Sequence, residues 1–212
     1  MVPMNNLISS RYVPFLERVL TPSRLQHSLG VMQVMGELSK IYGLNEEKAL
    51  TAGLLHDAAK NLPQEQIDDI VKAAGIEFHE PCEQEYTLYL HGPVGAFYVQ
   101  RELSVTDPEI LDAIYRHTWV GKIESFEPPL VWCLRFSDIL EPYRKWDGNT
   151  QIIRDNIPRL RETVFAGQLK EAAFIHTEMI IQLLKNLKAP VHANCYRVYN
   201  ELSSMFQGQA EY

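Results

Sequence analysis

The sequence predicts an all-α protein, one helical domain that carries a helical C-terminal extension. Three observations lead there. Helix-start signals recur along the chain, apolar residues repeat at three- and four-residue spacing, and no useful stretch alternates apolar with polar residues as a half-buried strand does. Neither an internal repeat nor a low-complexity segment interrupts the pattern.

Thr21-Pro22-Ser23 combines a capping hydroxyl with a first-turn proline and opens a helix to about Tyr42, just before Gly43. Val31, Val34, Leu38 and Ile41 form its core stripe. Asn45 caps the next helix, whose first turn places Glu46 and Glu47 at the positive end of the dipole. Its small residues Ala49, Ala52 and Gly53 predict close packing on the way to the pair His56-Asp57. Pro63 starts another helix that ends near Gly75. Residues 76–91 are expected to form a loop with a short helical turn, and Gly92-Pro93 to begin a helix reaching about Glu102. Asp107-Pro108 repeats the cap-plus-proline start for a helix ending at His117, and Pro128-Pro129 precedes a strongly apolar helix from Leu130 to Leu140. Trp146-Asp147-Gly148-Asn149 reads as a turn. The core is therefore set at residues 1–146, and an extension of two or three amphipathic helices, packed on the same domain or forming a homodimer interface, at 147–212.

Composition narrows the function. A chain of 212 residues suffices for one well-packed domain, and 46% hydrophobic with 22% charged residues belongs to a folded protein. A net charge of -7 argues against a protein that coats nucleic acid, yet leaves room for a small phosphorylated substrate met by a local cluster of cations. Cys82, Cys133 and Cys195 are odd in number and not in CxxC pairs, which argues against a disulfide framework and a zinc knuckle. The N-terminus has no signal-peptide pattern and no run of about 18 apolar residues exists, so a cytoplasmic protein without a membrane partner is expected.

The candidate chemistry lies in histidines and aspartates on apolar faces. His27 shares a face with Val31 and Val34, His117 with Ile110 and Ile114, and Asp138 with Val131 and Leu134. A carboxylate on such a face is costly unless it is paired or holds a cation. Adjacent His56 and Asp57 diverge by roughly 100° on a helix, so they can share a metal only above a helix end, with further ligands from other helices. His91, before Gly-Pro, is a further candidate. Each has a plainer reading: a histidine hydrogen-bonded in the core, or Asp138 paired with Arg135 or Arg144. Three inward histidines, an inward aspartate and an HD pair in one small domain favour the metal. Imidazole and carboxylate without thiolate suit iron or manganese, and also admit zinc. Arg24 and Lys60 stand three residues from His27 and Asp57, and with Arg144 and Thr118 they are candidates to receive phosphate. Trp119, beside His117, packs in the core or reaches a nucleobase; His79, His176 and His192 read as ordinary.

The order His27, His56-Asp57, Asp138 resembles the H…HD…D signature of the HD superfamily. RLQHSLGV, GLLHDAAK, LHGPVGA, AIYRHT and SDILEPYR are, more closely, similar to segments of the YqeK family of symmetrical diadenosine tetraphosphate hydrolases, over about residues 11–187. Ser137 departs from that family's usual alanine and leaves the ligand beside it in place. The resemblance implies an HD-domain helical bundle in which His27, His56, Asp57 and Asp138 hold one metal, with iron the first choice. His91 and His117 would hold a second ion or bind phosphate. It further implies that a metal-activated water attacks an inner phosphate of diadenosine tetraphosphate, with Asp57 and Lys60 in the catalytic group, and releases two ADP. Another HD-type nucleotidase or nucleotide triphosphohydrolase is the neighbouring expectation, and a non-catalytic nucleotide-binding HD module the more distant one.

Overall fold

The computed structural model describes residues 3–85, 87–121, 123, 125–144 and 151–207. Among these residues there are eleven α-helices and no strand, as the sequence predicts. They are α1 Met4–Val19, α2 Pro22–Ile41, α3 Glu46–Leu55, α4 Gln64–Ala74, α5 Pro81–Glu85 and α6 Thr87–Leu103. There follow α7 Pro108–Arg116, α8 Pro129–Leu140, α9 Gln151–Phe165, α10 Leu169–Asn186 and α11 Ala193–Gln207. No described helix is long and apolar enough to cross a membrane.

The chain divides into two compact units, one of Met1–Gly121 with Pro128–Arg144, the other of Lys122–Glu127 with Lys145–Tyr212. The turn expected at Trp146-Asp147-Gly148-Asn149, and with it the boundary at 146/147, lies outside the described residues. In the second unit α10 packs against both α9 and α11, and Leu160, Val164, Ala173, Ile175, Val198 and Leu202 are buried.

In the first unit α2 packs on α1, α3 and α8, while α3 also touches α7, and α6 lies against α4, α5 and α7. Leu38, Leu54, Leu55 and Leu134 are fully buried, each contributing roughly 1.5–3 kcal/mol by leaving water. Local signals set the helix starts. Asn45 Oδ1 accepts from Lys48 N at 3.0 Å, and Asp107 Oδ1 accepts from Glu109 N at 3.0 Å and Ile110 N at 3.3 Å.

Two elements differ from the sequence reading. The N-terminal helix α1 carries Pro14 in its interior and no side-chain cap, so its helical stripe of Ile8, Tyr12 and Leu16 is the only local signal for it. Gly92-Pro93 does not begin a helix but lies inside α6, which starts at Thr87. Pro93 has no N–H to give to the carbonyl of Tyr89 four residues earlier. Thr118, just beyond α7, supplies the missing donor: its hydroxyl reaches Tyr89 O at 2.7 Å. A side chain from the turn after α7 thus restores the bond the proline removes.

Candidate metal centre

Five segments meet at one point of the first unit. His27 comes from α2, His91 from α6 and Asp138 from α8. His56 and His117 are the C-cap residues of α3 and α7, and Asp57 follows His56 in the turn. The two C-caps aim the negative ends of two helix dipoles at the centre, which favours a cation there.

Each histidine has its Nδ1 hydrogen committed. His56 Nδ1 donates to Gly53 O at 2.9 Å, His117 Nδ1 to Ile114 O at 2.5 Å, and His91 Nδ1 to Thr87 O at 2.9 Å. His27 Nδ1 donates to Glu141 Oε1 at 3.0 Å. All four therefore turn an Nε2 lone pair inward, the form a metal ligand needs. Those atoms face one another: His27 and His56 Nε2 are 3.3 Å apart, and His91 and His117 Nε2 are 3.0 Å apart.

The carboxylates complete two overlapping sets. His27, His56 and Asp57 bring ligand atoms within 4.8 Å of one another, and so do Asp57, His91 and His117. Asp138 Oδ1 joins the first set, 3.0 Å from His27 Nε2 and 3.8 Å from His56 Nε2. Buried Asp57 Oδ1 and Asp138 Oδ1 receive no well-directed hydrogen bond, although charged groups lie near both. Inward imidazole lone pairs, two buried carboxylate oxygens and no thiolate fit a divalent cation that accepts nitrogen and oxygen donors.

The electrostatics follow from burial and neighbours. Burial, with the nearby His56, pushes His117 down to about 3. Burial and the Lys60 ammonium hold His91 well below its usual value, and burial lowers His56. Burial opposes charge on His27 too, but contact with Asp138 outweighs it and raises the pKa. The ionised forms of Asp57 and Asp138 resist burial's upward pull. Lys60, His56 and His91 hold Asp57 well below the carboxylate range, and Arg144 and His27 do so for Asp138. Lys60 is itself lowered by burial despite Asp57.

Three cations border the ligands. Lys60 Nζ lies 3.5 Å from Asp57 Oδ1 and 2.8 Å from His91 Nε2, Arg24 Nη1 3.4 Å from Asp57 Oδ2, and Arg144 Nη2 3.2 Å from Asp138 Oδ1. Arg135, weighed as a partner of Asp138, instead donates to Arg116 O at 2.6 Å and stacks on Trp119 and Trp132. One sequence expectation is corrected and another alternative resolved. The Thr118 hydroxyl serves Tyr89 O rather than phosphate, in a residue only 5% exposed. Trp119 takes the core-packing reading: it is 5% exposed, edge-on against Trp132 and covered by Arg135.

Sequence reasoning missed Glu141. Its side chain is fully buried, accepts from His27 Nδ1 and takes Tyr143 N at 2.6 Å. Gly30 on α2 makes room, since a Cβ there would stand 2.6 Å from Glu141 Oε2. The available signal was its spacing three residues after Asp138, on the same side of α8. Gly92 does the same for the other half: a Cβ would meet Thr118 Oγ1 at 2.4 Å, so its absence lets α6 and α7 bring His91 and His117 together.

A bundle of helices that gathers imidazoles and carboxylates beside three cations defines a metal-dependent phosphohydrolase of all-α architecture. The chain belongs to the HD domain family, whose sequence model matches residues 24–189. It is 32% identical over 189 residues to a symmetrical bis(5'-nucleosyl)-tetraphosphatase of Bacillus subtilis, covering 89% of this chain and 94% of that one. It is 27% identical over 187 residues to a protein of the same name from Halalkalibacterium halodurans, covering 86% and 90%. Among solved structures, a predicted HD superfamily hydrolase involved in NAD metabolism from Clostridium acetobutylicum superposes with a TM-score of 0.77. The two are 28% identical, over 94% of this chain and 97% of that one.

Proposed function

We propose that this chain hydrolyses diadenosine tetraphosphate symmetrically to two ADP, using iron held by His27, His56, Asp57 and Asp138, with a second ion at Asp57, His91 and His117. The observation that carries this reading is the sharing of Asp57 between the two ligand sets, with Lys60 and Arg24 on its two oxygens. The relatives named as symmetrical tetraphosphatases support the substrate. Three buried cysteines outside any disulfide suit a reducing cytoplasmic setting.

When bound, the metal supplies Lewis acidity, polarising a phosphoryl oxygen and acidifying a water. The chain's own residues do the rest. Lys60, Arg24 and Arg144 meet the negative charge that builds on the equatorial phosphoryl oxygens. Asp57 and Asp138, ionised far below neutral pH, anchor charge and are too weakly basic to take a proton at pH 7. The water oxygen joins an inner phosphorus, the bridging oxygen leaves with the other half, and the water's protons pass to products and solvent.

The test is chromatography of products from diadenosine tetraphosphate and iron-reconstituted protein, with Asp57→Ala as control. ADP as sole product, absent in the variant, is expected. ATP with AMP would overturn the symmetrical assignment, and no turnover by metal-loaded protein would overturn the substrate.

A further inference from the structure

A cavity of about 210 Å³ adjoins the metal centre between α2, the turn after α3, α4 and α6. Its chemistry is two-sided. Arg24, Lys60 and His91 line it, and these are the groups that also contact Asp57. The rest of the wall is aliphatic, from Leu62, Ile67, Leu90 and Val94, with Gln64 and Thr87 as polar groups among them. Cations beside the reacting centre and an apolar body suit a phosphate ester of a flat group with apolar faces and a polar edge. A nucleoside has that chemistry. Inorganic polyphosphate would leave the aliphatic wall in water. The volume is also below the roughly 300–1,000 Å³ typical of sites that enclose a drug-sized ligand, so one base fits and a whole dinucleotide does not.

We propose that this cavity seats one nucleobase of the substrate between Leu62, Ile67, Leu90 and Val94, while its phosphates run past Arg24 and Lys60 to the centre. The proposal rests on the phosphohydrolase reading and adds to it where one half of the substrate binds. Gln64 meets the polar edge of the base. Its Nε2 donates to Asp68 at 2.8 Å, which leaves Oε1 to accept from an exocyclic amine. The second nucleoside of a dinucleoside polyphosphate lies outside this cavity.

The experiment is calorimetric titration of the metal-loaded protein with ADP and with inorganic pyrophosphate, in wild type and in Ile67→Trp. Ile67 is only partly buried, so a larger side chain there fills the cavity without entering the core. ADP affinity should fall about tenfold or more while pyrophosphate stays within about twofold, the scale of losing one packed apolar group. Leu62→Trp serves the same purpose if the first variant does not fold. Unchanged ADP affinity, a parallel loss of both ligands, or a wild type that binds pyrophosphate as well as ADP overturns the proposal. Diadenosine tetraphosphate turnover is scored separately: cleavage without the ADP pattern sinks only the cavity. The ADP pattern without cleavage sinks the substrate assignment and keeps the nucleoside site.

Discussion

Glu141 accepts the Nδ1 hydrogen of His27 at 3.0 Å from the C-terminal end of α8, and this bond decides which ring nitrogen faces the metal centre. Such a carboxylate–histidine pair fixes the tautomer and makes the imidazole a better donor. Glu141→Gln should lower metal affinity by about 10–100-fold while helix content is preserved. Chelator competition with circular dichroism checks this, and an unchanged affinity would show that His27 needs no such partner.

Thr118 is expected to matter for structure and not for phosphate. Thr118→Val keeps the shape but strands the Tyr89 carbonyl, at a cost of about 1–3 kcal/mol. Thermal melts should show that loss, with KM for diadenosine tetraphosphate nearly unchanged. A large rise in KM at constant stability would return Thr118 to the substrate.

The histidines, shifted in opposite directions, give two pH dependences of different origin. His27 has a raised pKa, so its proton competes with the metal. Metal affinity should climb by up to about tenfold per pH unit until that proton is lost, above the ordinary value near 6.5, and then level off. His117, pushed down to about 3, acts on stability in metal-free protein. The unfolded chain takes its proton near pH 6.5 and the folded one only near 3. Stability therefore falls with acidification across that window, by about 1.4 kcal/mol per pH unit for this one group. Melting curves of metal-free wild type and His117→Asn should differ in slope between those limits and run parallel above about pH 7.5.

Lys60 is the cation most tightly built into the site. Replacing it by methionine retains the buried stem and removes the charge, and kcat/KM for diadenosine tetraphosphate should drop on the order of a hundredfold. Bound metal, measured in parallel, should remain. Loss of the metal together with activity would make Lys60 a support of His91 and Asp57 and not a phosphate contact.

What the sequence made legible was local. Asn45, Asp107 and the prolines at 22, 108 and 129 mark helix starts through groups within a turn of themselves, and the structure keeps each one. The ligand candidates were legible because a charged or imidazole group on an apolar face is expensive. What was hidden depends on distant partners. The helix through Gly92-Pro93 needs a hydroxyl 29 residues from the carbonyl it serves, and Glu141 acquires its role from a histidine 114 residues away. Read alone, Glu141 is a charge at the end of a helix.

Two helix C-termini, α3 and α7, deliver His56 and His117 to the same point that α2, α6 and α8 reach with the other ligands. An ion bound there closes chain loops from residue 27 to residue 138 at once, as a multi-way cross-link does. No short stretch of the chain brings these residues together, so an ion bound there would hold the docked arrangement against opening. By mass action, free metal at about a thousand times its Kd adds about 4 kcal/mol to that arrangement. An ion that serves hydrolysis would thus also be the lock on the fold, and chelation should loosen the helices before any substrate is added.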